Sequence, residues 1–135
     1  MELLISDPVK IAHFIAIFRN LKNLVSIVNI SFSERGFYIQ GMDQNHICFL
    51  EIFIKSSWFD KFTTKDNVLG INTEILFAAI NNWKEGYSIT LEYDDGDNLI
   101  ITYNGEKLLT KQYELQLIDL DIDNINVPDT EYELD

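Results

Sequence analysis

Apolar and polar positions fall into two rhythms along this chain. After Asp7-Pro8, the residues Ile11, Phe14, Ile15, Phe18 and Leu21 recur at helical spacing, which predicts an amphipathic helix. Ser6 or Asp7 can cap it, and Pro8 suits the first turn, where a missing N–H is no loss. The opposite side, with Lys10, Ala12, His13, Ala16, Arg19 and Asn20, is small and partly basic. The period then drops to two. Val28, Ile30 and Phe32 alternate with Asn29, Ser31 and Ser33 as a half-buried strand does. Ser33-Glu34-Arg35-Gly36 reads as a tight turn. A second strand begins over Phe37 to Gln40. A third covers Ile47 to Lys55, with Cys48, Leu50, Ile52 and Ile54 on one face. An irregular stretch holds Trp58 and Phe59, and another strand is expected near Asn67 to Ile71.

Asn72 or Thr73 caps a second predicted helix, with Glu74 favourable in its first turn and an apolar stripe of Ile75, Leu76, Ala79, Ile80 and Trp83. Tyr87, Ile89, Leu91 and Tyr93 then alternate with polar neighbours. Asp94-Asp95-Gly96-Asp97 turns the chain into Leu99, Ile101 and Tyr103, and Asn104-Gly105 is a strong two-residue hairpin signal. The last strand is placed near Lys111 to Leu117. The order strand, helix, three strands therefore occurs twice, a repeat of architecture without an obvious repeat of sequence. The expected class is α+β, with two β-α-β-β-β units and two helices packed on antiparallel sheets. Residues 1–117 form the expected domain. Residues 118–135 are acidic, contain Pro128 and have no apolar period, so they read as a connecting segment or arm.

A chain of 135 residues with 47% hydrophobic content can bury a sizeable core. No apolar run approaches membrane-spanning length, and the N-terminus lacks the basic region of a secretory signal. The single cysteine, Cys48, cannot form an internal disulfide, which fits a reducing compartment. The formal charge of −12 bears directly on function. Binding to a phosphate backbone draws its free energy from lysines and arginines that release counterions. Ten basic residues against twenty-two acidic ones exclude a tight, wrapping nucleic-acid binder. Any such contact must be weak and confined to one face.

Candidate chemistry is sparse. Asp119, Asp121 and Asp123 alternate like the start of a calcium loop, but Asn124 stands where glycine is needed and Thr130 where a bidentate glutamate belongs. Asp94, Asp95 and Asp97 suit a hairpin turn. His46 and Cys48 could share a strand face, but two ligands do not close a zinc site. No nucleophile motif, glycine-rich phosphate loop or H-E-x-x-H is present. The expectation is a binding protein, with no enzyme activity, metal or cofactor. Two features remain without a role: Gln40 to His46, which joins two strands through a methionine, and the aliphatic residues Ile118, Leu120, Ile122, Ile125 and Val127 of an otherwise acidic arm.

Those same two features carry a resemblance. Phe37 to Ile54, with Gln40, Met42, Asp43 and His46 in a Q-x-M-D-x-x-H pattern, is similar to the proliferating cell nuclear antigen family of DNA sliding clamps. Phe59-Asp60 and the Gly70-Ile71-Asn72 entry to the second helix match as well. Tyr113 to Asp121, continuing through Ile125, Val127-Pro128 and Glu131-Tyr132, resembles the last strand of the family's first domain running into its interdomain connecting loop. The likeness spans nearly the whole chain.

It implies one domain of a closed ring that holds duplex DNA by topology, with no strong or sequence-dependent affinity. The implied DNA-facing residues are Lys10, His13, Arg19 and Lys84. The second helix departs from the family there, with Ala78 and Asn81 where lysines are usual. A pocket for short peptides of polymerases, ligases, nucleases and the clamp loader would use Met42, His46, Phe49, Ile125, Val127 and Pro128. Phe49 and Asn126 differ from the family's smaller aliphatic and glycine. Ring closure, a homotrimer in the family, would use the last strand's edge, with Lys111, Tyr113 and Leu115. The implied setting is soluble and intracellular, a nucleus or viral replication compartment. Three other readings stay open: a checkpoint-type clamp subunit, a clamp-derived acidic adaptor that encircles nothing, and an enzyme.

Overall fold

The computed structural model describes residues 1–42, 49–93, 96–105 and 110–118, with the side chains of Met42 and Phe49 excepted. Strand β1 (Glu2–Ile5) leads into helix α1 (Pro8–Leu24), followed by β2 (Ile27–Ser33), β3 (Gly36–Met42) and β4 (Phe49–Lys55). A single 3-10 turn (Ser56–Trp58) and a short strand β5 (Lys61–Thr63) precede β6 (Asn67–Asn72) and helix α2 (Thr73–Ile80). Strands β7 (Tyr87–Glu92), β8 (Asn98–Gly105) and β9 (Lys111–Gln116) complete the order. The expected α+β class and the doubled strand–helix–three-strand order are both present. The one addition is β5, three residues long and too short to show a period.

The sheets are antiparallel and run β5-β1-β7-β8-β9 and β4-β3-β2-β6. Each meander takes its neighbour from the other half of the chain: β2-β3-β4 is extended by β6, and β7-β8-β9 by β1. The two βαβββ units are thus interlocked through their first strands. Beyond β9 the chain crosses to the second sheet, where the Ile118 N–H donates to the Gly70 carbonyl at 2.9 Å.

Helix α1 buries the five residues its spacing selects, Ile11, Phe14, Ile15, Phe18 and Leu21. Asp7 is the cap, its carboxylate accepting from the Val9 N–H at 2.9 Å. Ser6 is occupied elsewhere: its N–H and hydroxyl both donate to Asp60 Oδ2, at 2.6 and 2.7 Å. Phe14 sits at the centre of an aromatic cluster, edge-on to Phe18 at 5.1 Å, Phe37 at 5.8 Å and Phe59 at 6.5 Å, distances at which such rings attract.

Three expectations are corrected. Ile75 is 53% exposed and does not belong to the buried stripe of α2. Asn72 caps the helix, accepting from the Ile75 N–H at 3.0 Å, so the inward face is Thr73, Leu76, Ala79 and Ile80. Thr73 can be buried because its hydroxyl donates to the carbonyls of Val25 and Ser26, at 2.5 and 3.2 Å. Trp83 lies beyond the helix, which ends at Ile80; its indole N–H donates to the Tyr87 carbonyl at 2.8 Å. Asn104 and Gly105 are not a hairpin tip. Strand β8 continues through both, paired with Ser88 and Tyr87, because β7 supplies partners that far and the ladder satisfies their backbone.

Candidate functional site

Among the described residues, the basic side chains of α1 define the first surface. The helix carries Lys10, Arg19 and Lys22 and none of the twenty-two carboxylates of an acidic chain. These cations do not form one row. Lys10 is half-buried; its ammonium donates to the Trp58 carbonyl at 2.7 Å and lies 5.3 Å from the centre of that indole. Asp60, held below its ordinary range by the Ser6 hydroxyl and N–H, also feels the Lys10 charge. Lys10 is therefore largely satisfied within the protein. His13 is exposed one turn further on. Together with Lys55, Phe53, Ile17 and Trp58 these two residues line an open groove of about 600 Å³ between α1 and the edge strand β4. Sequence reading left Lys55 as an ordinary strand residue; only the pairing of β3 with β4 brings it beside α1.

Arg19 is exposed and belongs to a second group. Its guanidinium lies 5.7 Å from the centre of the Phe77 ring on α2, and the Lys22 ammonium lies 5.1 Å from the same centre. Lys22 was missed in sequence, although its i+3 spacing from Arg19 was the available signal. Ala78 on α2 and Asn81 at its C-terminal cap are exposed and uncharged, as expected. Lys84 lies beyond α2 in the connection to β7, exposed, and is part of neither group. The four expected DNA-facing positions therefore divide into a groove pair (Lys10, His13), one member of a ring-centred pair (Arg19) and Lys84, which lies in neither group.

The second surface is the outer edge of β9. The Leu117 N–H donates to the Asp97 carbonyl at 2.9 Å, which sets the ladder's alternation. Lys111, Tyr113 and Leu115 bond inward to β8, while Gln112, Glu114 and Gln116 turn their N–H and C=O groups away from it. The backbone groups of the three expected interface residues are thus taken up within the sheet. Leu115 is in the core, Tyr113 stands edge-on to Tyr103 at 5.9 Å, and the Lys111 ammonium lies 6.0 Å from the Tyr87 ring centre. The outward backbone belongs to their alternate neighbours.

The third region is the loop joining β3 to β4. Met42 and Phe49 are register partners at its two ends, so the backbone brings both to one place. Asp43, His46, Cys48, Ile125, Val127 and Pro128 lie outside the described residues, as do the tail aspartates and the Asp94-Asp95 turn. Among the described residues no three His, Cys, Asp or Glu side chains cluster as metal ligands, and no helix is long and apolar enough to cross a membrane.

Residues 9–125 match the family described as "Proliferating cell nuclear antigen, N-terminal domain". The chain is 28% identical over 117 residues to a DNA polymerase sliding clamp of Methanothermobacter thermautotrophicus, covering 86% of this chain and 47% of the relative. It is 25% identical to the proliferating cell nuclear antigen of Chaetomium thermophilum, over 83% of this chain and 44% of that one. Against proliferating cell nuclear antigen 1 of Plasmodium falciparum it is 27% identical, over 85% and 43%. The fold superposes on a chain of the PCNA2-PCNA3 complex from Sulfolobus tokodaii with a TM-score of 0.82 at 22% identity, covering 98% of this chain and 52% of that one. The chain spans about half the length of the curated relatives it matches.

Proposed function

Because this chain belongs to the proliferating cell nuclear antigen family, through that family's N-terminal domain, we propose that it acts as a half-subunit of a DNA sliding clamp, a scaffold that performs no chemistry. The observation that carries this reading is the charge pattern of α1: three cations and no carboxylate on one helix of a chain with formal charge −12. Such a carboxylate-free helix, with Arg19 and Lys22 presented outward, gives a loose, sequence-independent hold on duplex DNA, while the acidic remainder repels the duplex elsewhere. Loose contact suits a protein that keeps its DNA by encirclement and must slide.

In this reading residues 1–117 are the domain and residues 118–135 the connecting segment. Met42, His46, Phe49, Ile125, Val127 and Pro128 form a socket for short peptides of polymerases, ligases, nucleases and the clamp loader, where methionine repacks around differing ligands. The edge of β9, through the outward groups of Gln112, Glu114 and Gln116, pairs with a further clamp domain in a ring, a homotrimer by family resemblance. The setting is a nucleus or a viral replication compartment.

The test is a nuclear magnetic resonance titration of the chain with a short duplex at low ionic strength. Shifts confined to exposed α1 positions, and lost as salt rises, are expected; shifts elsewhere, or none, overturn the reading. Two observations favour a second reading, an acidic adaptor that encircles nothing: α2 and its cap present Ala78 and Asn81, and Lys10 is tied to Trp58. A peptide of the form Q-x-x-aliphatic-x-x-aromatic-aromatic separates the two, because an adaptor that has lost the socket leaves it unbound.

A further inference from the structure

We infer that Phe77 is a positioning residue whose ring gathers Arg19 and Lys22 into one preformed two-cation clasp for the phosphates of duplex DNA; this rests on the reading of α1 as the DNA-facing wall. Arg19 and Lys22 are three residues apart on α1 and share a face. Left alone, two like charges on long, flexible stems diverge. Here the guanidinium and the ammonium converge on a single ring of the neighbouring helix, at 5.7 and 5.1 Å from its centre. The ring's negative faces attract both cations and offset their mutual repulsion. Phe77 is itself half-buried and packed against the core, so it is a fixed anchor.

A cation held over a ring keeps most of its donors available, since an ammonium has three N–H groups and a guanidinium five. The clasp can therefore bond phosphate oxygens without first losing the freedom of two long side chains, which is how preorganisation raises affinity. The surroundings offer no competing partner of opposite charge on α1, and the one carboxylate of α2, Glu74, opens that helix at its first turn. An aromatic residue on α2 thus does by placement part of what added charge on that helix would do directly.

The experiment is a titration of the full chain with a short duplex at several salt concentrations, for wild type, Phe77→Leu, Phe77→Tyr, the double variant Arg19→Ala/Lys22→Ala, and that double variant combined with Phe77→Leu. The double variant is expected to flatten the slope of log K against log salt by up to about two phosphate contacts. Phe77→Leu is expected to weaken binding about threefold to tenfold with the slope unchanged, and Phe77→Tyr, which keeps the ring, to restore it. In the double-variant background Phe77→Leu should add nothing, because the residues it positions are gone. In the free protein the Lys22 ε-methylene protons should resonate upfield in wild type and move back in Phe77→Leu. If Phe77→Leu binds as wild type, or weakens binding equally in both backgrounds, Phe77 has only a packing role and the inference fails while the DNA reading stands. If the double variant changes neither affinity nor slope, α1 is not the DNA-facing wall and both fall.

Discussion

Gly36 closes the two-residue turn between β2 and β3, opposite Ser33 in the register. Its φ is +149°, and a Cβ built there would lie 2.2 Å from the Ile54 carbonyl oxygen of the adjacent strand. That oxygen is backbone and cannot swing aside. Gly36→Ala is therefore expected to destabilise by about 2 kcal/mol or more, read as a lower denaturant midpoint with little change in slope. At Asp60 the governing quantity is charge. The Ser6 hydroxyl and N–H hold its carboxyl below the ordinary value of 3.8, against a smaller opposing effect of burial. A carboxylate with a depressed folded-state pKa contributes stability above its unfolded value and loses it as pH falls through the folded one. Asp60→Ala is thus expected to cost under about 1 kcal/mol at neutral pH, because the site is largely exposed. The gap to wild type should close as pH falls below 3.8, which thermal melts across pH 2–7 would show. A gap that persists at pH 2 would locate the effect outside this carboxylate.

Helix α2 is eight residues long, too short to be stable alone. It exists because Leu76 and Ile80 are buried and because Thr73 ties its first turn to the end of α1. Leu76→Ala is expected to cost about 2–5 kcal/mol. Ile75→Gln, one residue away, is expected to change stability by less than about 0.5 kcal/mol, because the side chain is 53% exposed. Chemical denaturation of the two variants tests the assigned face directly, since the simple apolar pattern predicts a large loss at both. The same short helix carries Phe77, so its exact phase decides whether a ring or a small side chain meets the cations of α1.

At the scale of the molecule the two βαβββ units cannot come apart, because β1 completes the sheet of the second and β6 the sheet of the first. Heat unfolding is expected as one transition, with calorimetric and van't Hoff enthalpies equal; two resolved transitions would show that the halves melt separately. How much of this was readable in advance follows from the range of each interaction. The period of apolar residues located α1 and most strands, because a stripe or an alternation is local and needs no partner to be seen. The same local reading narrowed each helix cap to two neighbouring residues and found the turn at Gly36 and the small, partly basic face of α1. It misplaced Ile75 and Trp83, because an eight-residue helix carries too few turns to fix its phase. It also took Asn104-Gly105 for a hairpin tip, because turn chemistry is overridden when a neighbouring strand is long enough to pair with the segment. The exchange of first strands, the alternation of inward and outward backbone along β9, the tethering of Lys10 to Trp58 and the meeting of Arg19 and Lys22 on Phe77 join residues far apart in the chain. The sequence by itself determined most of the elements that form and that the polar side of α1 is partly basic, since those depend on neighbours within a few residues. Only the tertiary structure decided which cations are spent inside the protein and which are presented outward, because that depends on what packing places opposite them.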